Sequence, residues 1–273
     1  MMMTTASLAS PGVNPVKKRR ISRYATPLAG IAGLVILILL WGIGIHSLTD
    51  SMPLAEQLSP QNSFAALVHL LGQSELPGHA LTSLRRVFVG LALALVIGIP
   101  IGLAVGSARW FENSTQPAFQ FLRMISPLSW MPIAVMIFGI GDAPIYFLLT
   151  FAAVWPIILN TAAGVKSLNP QWLQLSRSMS ATRFETLKTI VLPGILSHIL
   201  TGLRLSIGIS WILLVPCEML GVSSGLGYFI LDTRDRLAYS ELMAGILFIG
   251  LLGFALDYLA QALYRHFTYG NNR

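Results

Sequence analysis

The chain has 273 residues, of which 54% are hydrophobic and only 11% charged, against roughly 25% charged in an ordinary soluble protein. So little charge cannot cover a water-facing surface, which excludes a soluble globular domain and points to a membrane protein. The net charge of +7 is no argument for nucleic acid, because Lys and Arg clustered beside an apolar run are the usual cytoplasmic flank of a membrane span.

Residues 1–26 form a polar tail with Lys17, Lys18, Arg19, Arg20 and Arg23, and residues 27–46 read as a first transmembrane anchor. Its apolar run approaches the ~20 residues that cross a bilayer. A cleaved signal peptide is the rival reading. The run is longer than the ~7–15 apolar residues of such peptides, and no Ala-x-Ala follows Ile45, which favours an uncleaved anchor. Residues 47–82 are more polar, with Phe64, Leu67, Val68 and Leu71 at helical spacing. This amphipathic segment either lies along the outer membrane face or packs on the bundle as a solvent-exposed helix.

A core region, 83–265, then holds five more spans, near 84–106, 119–140, 143–163, 195–220 and 242–263, and residues 266–273 form a second polar tail. Gly98, Gly102 and Gly106 in the second span are spaced for close helix approach, either within one subunit or between two. Pro127 and Pro132 break the third span and Pro156 lies in the fourth. Such prolines are plain kinks or the lining of a pathway that changes shape. Cys217 is the single cysteine, which rules out a disulfide within the chain.

Six spans put both termini on one side. With that side inside, the cytoplasmic segments hold the tail cations with Arg109, Arg123, Lys166, Arg177, Arg183, Lys188, Arg265 and Arg273, and the outer ones only Arg85, Arg86, Arg234 and Arg236. This asymmetry predicts cytoplasmic termini and a cytoplasmic loop at 169–193.

That loop is the longest polar-enriched interruption in the second half. Asn169 is placed to cap a helix with Pro170 at its first position, and Trp172, Leu175 and Met179 fall on one side of it. Thr182 and Glu185 form a capping box for a second helix, and Pro193 marks where that helix stops or bends.

Ile190-Val191-Leu192-Pro193 resembles the end of the Glu-Ala-Ala loop of permease subunits of ATP-binding-cassette importers. Counting back along that pattern places Ser180 at its glycine and Gln174-Leu175-Ser176 at its Glu-Ala-Ala, so the beginning departs from it. Ser129-Trp130-Met131-Pro132, Trp155 to Thr161, Thr201-Gly202-Leu203-Arg204, Glu218-Met219-Leu220 and Gly225-Leu226-Gly227 are similar to the branch that imports nitrate, sulfonates or taurine. The resemblance implies an all-α membrane protein of six transmembrane helices with the type I ABC importer permease fold, its coupling helices between the fourth and fifth spans. It implies a second permease copy, as a homodimer, and two ATPase subunits that hydrolyse ATP with Mg. It also implies a periplasmic or lipid-anchored substrate-binding protein, in a bacterial inner membrane.

The coupling residues it implies are Trp172, Leu175, Met179, Ser180, Ala181, Thr182, Arg183, Phe184 and Glu185. A rigid amphipathic knob there suits a partner pocket; the alternative is that its apolar face packs on the subunit's own helix ends. Ser129, Trp130, Asn160, Thr161 and Glu218 are candidates for a pathway or gate. Arg204 and Asp257 are candidate buried charges, as an interhelical ion pair or as groups snorkelling to the inner interface.

No Gly-x-x-x-x-Gly-Lys-Ser/Thr occurs, so the chain itself is expected to bind no cofactor and hydrolyse no ATP. The scattered His46, His69, His79, His198 and His266 make no zinc motif, and no metal site is expected. An autonomous channel or secondary transporter remains the alternative, distinguished by flux without a partner ATPase.

Overall fold

The computed structural model describes residues 25–49 and 53–269; the tail cations from Lys17 to Arg23, Asp50 and Arg273 lie outside the described residues. Among those described there is helix and no strand. The helices are α1 (Ala25–Thr49), α2 (Pro60–Gly72), α3 (Glu75–Ser107), α4 (Arg109–Met124), α5 (Met131–Phe138), α6 (Asp142–Ser167), α7 (Pro170–Ser178), α8 (Arg183–Thr186), α9 (Leu192–Glu218), α10 (Leu226–Asp235) and α11 (Tyr239–Tyr269). Five stretches, built on α1, α3, α6, α9 and α11, are long and apolar enough to cross a membrane, and a sixth follows if α4 and the bent segment Pro127–Phe138 count as one span.

The bundle is built on α6, which lies between α3 and α9. Val87, Leu91 and Ala94 of α3, Leu148, Leu149, Ala152, Ala153 and Ile157 of α6, and Leu213, Leu214 and Cys217 of α9 make one buried apolar cluster. The glycine stripe of α3 is what brings it so close to α6. A Cβ at Gly98 would lie 2.8 Å from Ile157 Cγ2, one at Gly102 2.6 Å from Thr161 Cβ, and one at Gly106 2.7 Å from Val165 Cβ. Of the two readings of that stripe, contact within the subunit is therefore the one the structure adopts. In lipid such close approach supplies the packing that the hydrophobic effect cannot. Across the other face, the Ser206 hydroxyl of α9 donates to the Ala153 carbonyl at 2.7 Å.

A smaller cluster joins α2, the start of α3, α10 and α11 through Leu67, Leu70, Leu76, Ala80, Leu226, Phe229 and Ala244. Residues 60–72 are thus a helix packed on the bundle, and α3 starts at Glu75, several residues before the span boundary read from hydropathy. The polar Glu75-to-Ser83 turn sequence is helical because its apolar residues Leu76 and Ala80 are in phase with the rest of α3. In contrast, residues 34–40 of α1 leave their apolar side chains exposed, the surface expected against lipid.

Two proline positions behave differently from one another. The third span is not a kinked rod. Its two halves meet at 87° across Ile125 and Ser126, where Pro127 cannot continue a ladder of backbone hydrogen bonds. Pro193, expected to stop or bend a helix, follows an interruption of regular α-helix and does not end the run of helical backbone. The backbone passes from α8 through a wide turn, Leu187–Val191, in which the Leu192 N–H donates to the Leu187 carbonyl five residues back, and α9 takes Pro193 into its first turn. Near a helix start a missing N–H costs little, and the wider turn accommodates the ring.

Candidate functional site

Three groups of side chains carry chemistry, at three levels along the bundle. The first is the loop between α6 and α9. The Asn169 side chain accepts from the Gln171 N–H at 2.9 Å and starts α7. That helix ends with the Ser180 N–H donating to the Arg177 carbonyl and the Ala181 N–H to the Ser176 carbonyl, with Ser180 at φ +56°. This is the paired ending normally given to glycine, and here a serine bears the left-handed strain. Thr182 then accepts from the Glu185 N–H at 3.3 Å, while Glu185 accepts from the Thr182 N–H at 2.7 Å. The Thr182 backbone and hydroxyl donors hold the Glu185 carboxyl below its usual range. A contact of 2.6 Å between the Ser176 and Thr186 hydroxyls ties the two helices together.

So fixed, the loop presents an apolar face with no cover. Trp172 is 53% exposed, Leu175 59%, Met179 74% and Phe184 71%. Arg183 and Glu185 are exposed beside them, and Ala181 is half-buried at the turn. The alternative, that the subunit's own helix ends cover this face, is not what the structure adopts.

The second group lines two adjoining clefts. One, of about 350 Å³, lies between α4 and α6, with Glu112, Gln116, Gln120, Arg123, Trp155 and Lys166 among its walls. The other, of about 340 Å³, adds the break at Ile125 and Pro127, then Asn160, Leu205 and Ile209. Arg123, Trp155 and Leu159 belong to both. Lys166 pairs with Glu112. Of the residues proposed for a pathway, Asn160 lies in the second cleft, its amide donating to the Pro156 carbonyl at 2.8 Å. Ser129 and Trp130 lie on the short turn Pro127–Trp130 beside it, Ser129 exposed and Trp130 packed on Phe151. Thr161 does not belong there. It is fully buried and faces Gly102 of α3, one residue further around α6 than Asn160. Arg123, in the last turn of α4, lines both clefts with Trp155, a residue midway along α6.

The third group sits at the opposite end of α6 from the loop. Arg86 is 1% exposed and Glu218 0%. Arg86 Nη1 donates to Glu218 Oε1 at 2.7 Å and to the Ser224 carbonyl at 2.7 Å, while Nε and Nη2 reach Asp142 Oδ1 at 2.9 and 2.7 Å. Ser83 donates to both Glu218 oxygens, and the Gly227 N–H donates to Oε2 at 2.9 Å. A Cβ at Gly225, where φ is +112°, would lie 2.5 Å from Arg86 Nη1 and from Glu218 Oε1, so only glycine lets this turn close over the pair. Glu218, a gate candidate by sequence, is thereby a sealed member of a buried network. Burying a charge is tolerable only with such partners.

Arg86 and Asp142 were missed by sequence, Arg86 being counted only among the outer cations. A signal was there: Ser83, Arg86, Gly90, Leu91 and Ala94 share the buried face of α3, whereas Arg85 lies off it and is exposed. Arg204 and Asp257 form the interhelical ion pair that was one of their two readings, through two hydrogen bonds, at 3.0 and 3.1 Å, between α9 and α11, with side chains 37% and 56% exposed within the chain.

The chain is similar in sequence and in fold to known proteins. The bicarbonate transport system permease protein CmpB of Synechococcus elongatus is 33% identical over 256 residues, 91% of each chain. The taurine transport system permease protein TauC of Escherichia coli is 31% identical over 253 residues, 91% of this chain and 90% of its own. A chain of a bacterial ABC transporter involved in the import of the acidic polysaccharide alginate superposes with a TM-score of 0.58 over 90% of this chain and 95% of its own, at 18% identity, a likeness of fold alone. Residues 94–269 match the family described as "Binding-protein-dependent transport system inner membrane component", and with that match over most of its length the chain belongs to this family of ABC importer permeases.

Proposed function

We propose that the chain is the translocation subunit of an ATP-driven importer of a small oxyanion, of the bicarbonate, nitrate or sulfonate kind. It carries no ATP site of its own. Two partner ATPases hydrolyse ATP with Mg and drive two permease copies, a homodimer, between outward and inward openings, and a periplasmic or lipid-anchored binding protein delivers the anion. Both termini face the cytoplasm of a bacterial cell, and so does the loop 169–193. The motifs resemble the nitrate, sulfonate and taurine branch, and relatives named for bicarbonate and taurine support an oxyanion of that size.

The observation that carries the coupling role is the rigid but uncovered knob at Trp172, Leu175, Met179 and Phe184. Aromatic and methionine side chains locked on a capped turn are what a partner pocket takes up with little loss of conformational freedom. Exposed apolar groups elsewhere on the long helices face lipid, but here they stand on a polar loop beside Arg183 and Glu185.

Purification of the tagged chain from its native membrane in mild detergent tests this. A P-loop ATPase should co-purify, and Met179→Glu with Phe184→Glu should weaken its retention by about thirtyfold, the effect of losing a ~2 kcal/mol anchor. Because both side chains are exposed, the substitutions leave the fold intact. Recovery of the folded chain alone, with anion flux that needs no ATP, would instead establish a channel or secondary transporter.

A further inference from the structure

The helical break in the third span places an unpaired cation at the meeting of two clefts. Arg123 ends α4 immediately before the 87° bend, and among the described residues no carboxylate pairs with it. Its neighbour Trp155 is a dozen residues from the loop end of α6, or about 18 Å at 1.5 Å per residue, which is well inside a hydrocarbon core of ~30 Å. A guanidinium at that depth is costly unless it faces water or protein. Arg123 is exposed in the single chain, so what it faces is the cleft rather than a packed core.

Charge and donors around it agree in sign. Lys166 and Glu112 cancel, leaving the α4–α6 cleft with the single net positive charge of Arg123. In the second cleft Arg123 is the one ionisable lining residue, amid Ile125, Leu159, Leu205 and Ile209. Walls of low polarity focus the field of a lone charge. The indole N–H of Trp155, which lines both clefts, is buried without an acceptor. Phe119 and Phe151, each 5.6 Å from the Trp155 ring, fix that ring against the cleft.

We propose that this cleft, with Arg123 as its charged ligand, is the point at which the chain holds a small monovalent oxyanion during passage. The proposal deepens the import reading and rests on it. An arginine matches the planar or trigonal oxygens of such an anion with a fork of N–H donors. An apolar surround keeps the contact from being screened, while a single cation avoids trapping the ion. A cation would be repelled by the same field.

The probe is iodide quenching of Trp155 fluorescence in the purified full-length chain with its retained partners in lipid nanodiscs, referenced to neutral acrylamide. The Trp155 signal is taken as the difference from Trp155→Phe, so that the other tryptophans stay in place. Arg123→Ala should lower the iodide-to-acrylamide ratio by about tenfold at low salt, the low end of the local enrichment a charged cleft produces. Arg123→Lys should restore most of the ratio, and raised salt should erase the difference. An unchanged ratio in Arg123→Ala overturns the proposal. Should Trp155→Phe not fold, ATP-driven uptake of labelled bicarbonate, nitrate and taurine by the wild type, Arg123→Lys and Arg123→Ala decides. Loss in Arg123→Ala with partial rescue in Arg123→Lys supports the proposal, and equal uptake by all, or uptake of none by the wild type, overturns it. The two readings fail separately: an ATPase that co-purifies while the quenching ratio stays fixed removes the cleft and keeps the importer. A charge-dependent ratio without any co-purifying ATPase does the reverse.

Discussion

The two ends of α6 treat charge in opposite ways. At its beginning, Asp142 joins Arg86, Glu218, Ser83 and the backbone of residues 224–227 in a network in which every member is satisfied. From its middle to its other end, Arg123 has no partner among the described residues, the Trp155 indole N–H lacks an acceptor, and a cluster of apolar side chains stands uncovered on the loop. A completed network holds helices in place, and an incomplete one leaves room for something that arrives from outside the chain. The first end therefore reads as a clamp on α3, α6, α9 and α10, and the second as the working end. A buried charge and a functional charge are thus told apart by whether the chain supplies the partner.

That contrast is broken most forcefully at Glu218. Glu218→Ala leaves Arg86 buried beside Asp142 alone, and loss of one partner of a buried pair costs about 3–5 kcal/mol. The solubilised variant should melt well below the wild type in a thermal unfolding series monitored by size exclusion. A melting point within error of the wild type would remove the clamp. Gly102→Val comes next. It drives methyl groups into Thr161 and the Ile158 carbonyl, 2.6 and 2.8 Å from where its Cβ must sit, and overpacking of this kind costs about 1–3 kcal/mol. Retention of full stability would mean that α3 and α6 can part, contrary to a rigid pair.

The smallest effect is expected in the loop, and its sign is reversed. Ser180→Gly relieves a left-handed serine, for a gain of about 1 kcal/mol, and should slow hydrogen exchange of the 176–186 amides without disturbing the rest of the chain. Faster exchange there would show that the serine side chain itself holds the turn. Arg123 variants should leave melting nearly unchanged, because no internal partner is lost, and this sharpens the difference between the two ends more directly than any single change at either.

Much of the loop was legible in advance because its determinants are local. Asn169 before Pro170 and Thr182 three residues before Glu185 are relations within a few residues, and each appears in the structure as read. The long spans were legible too, since lipid demands an apolar run of fixed length whatever packs beside it. Pro193 was legible only in part. Proline interrupts regular α-helix, and the five-residue turn that absorbs it depends on how α8 and α9 are anchored at both ends.

What only the tertiary structure decided is which polar groups meet. Arg85 and Arg86 are neighbours in sequence and equal in composition, yet one is exposed and the other sealed, because the rotation of α3 on α6 is set by the glycine stripe and by where Gly225 allows the turn to close. Asn160 and Thr161 part in the same way, one toward the cleft and one toward α3. The sequence by itself determined the membrane class, the spans, the caps and the family, all properties of local pattern. Pairing across helices depends on their rotation about their own axes. In a bilayer that rotation is fixed by the close fit of small and large side chains and not by hydrophobicity, which is nearly uniform around each span.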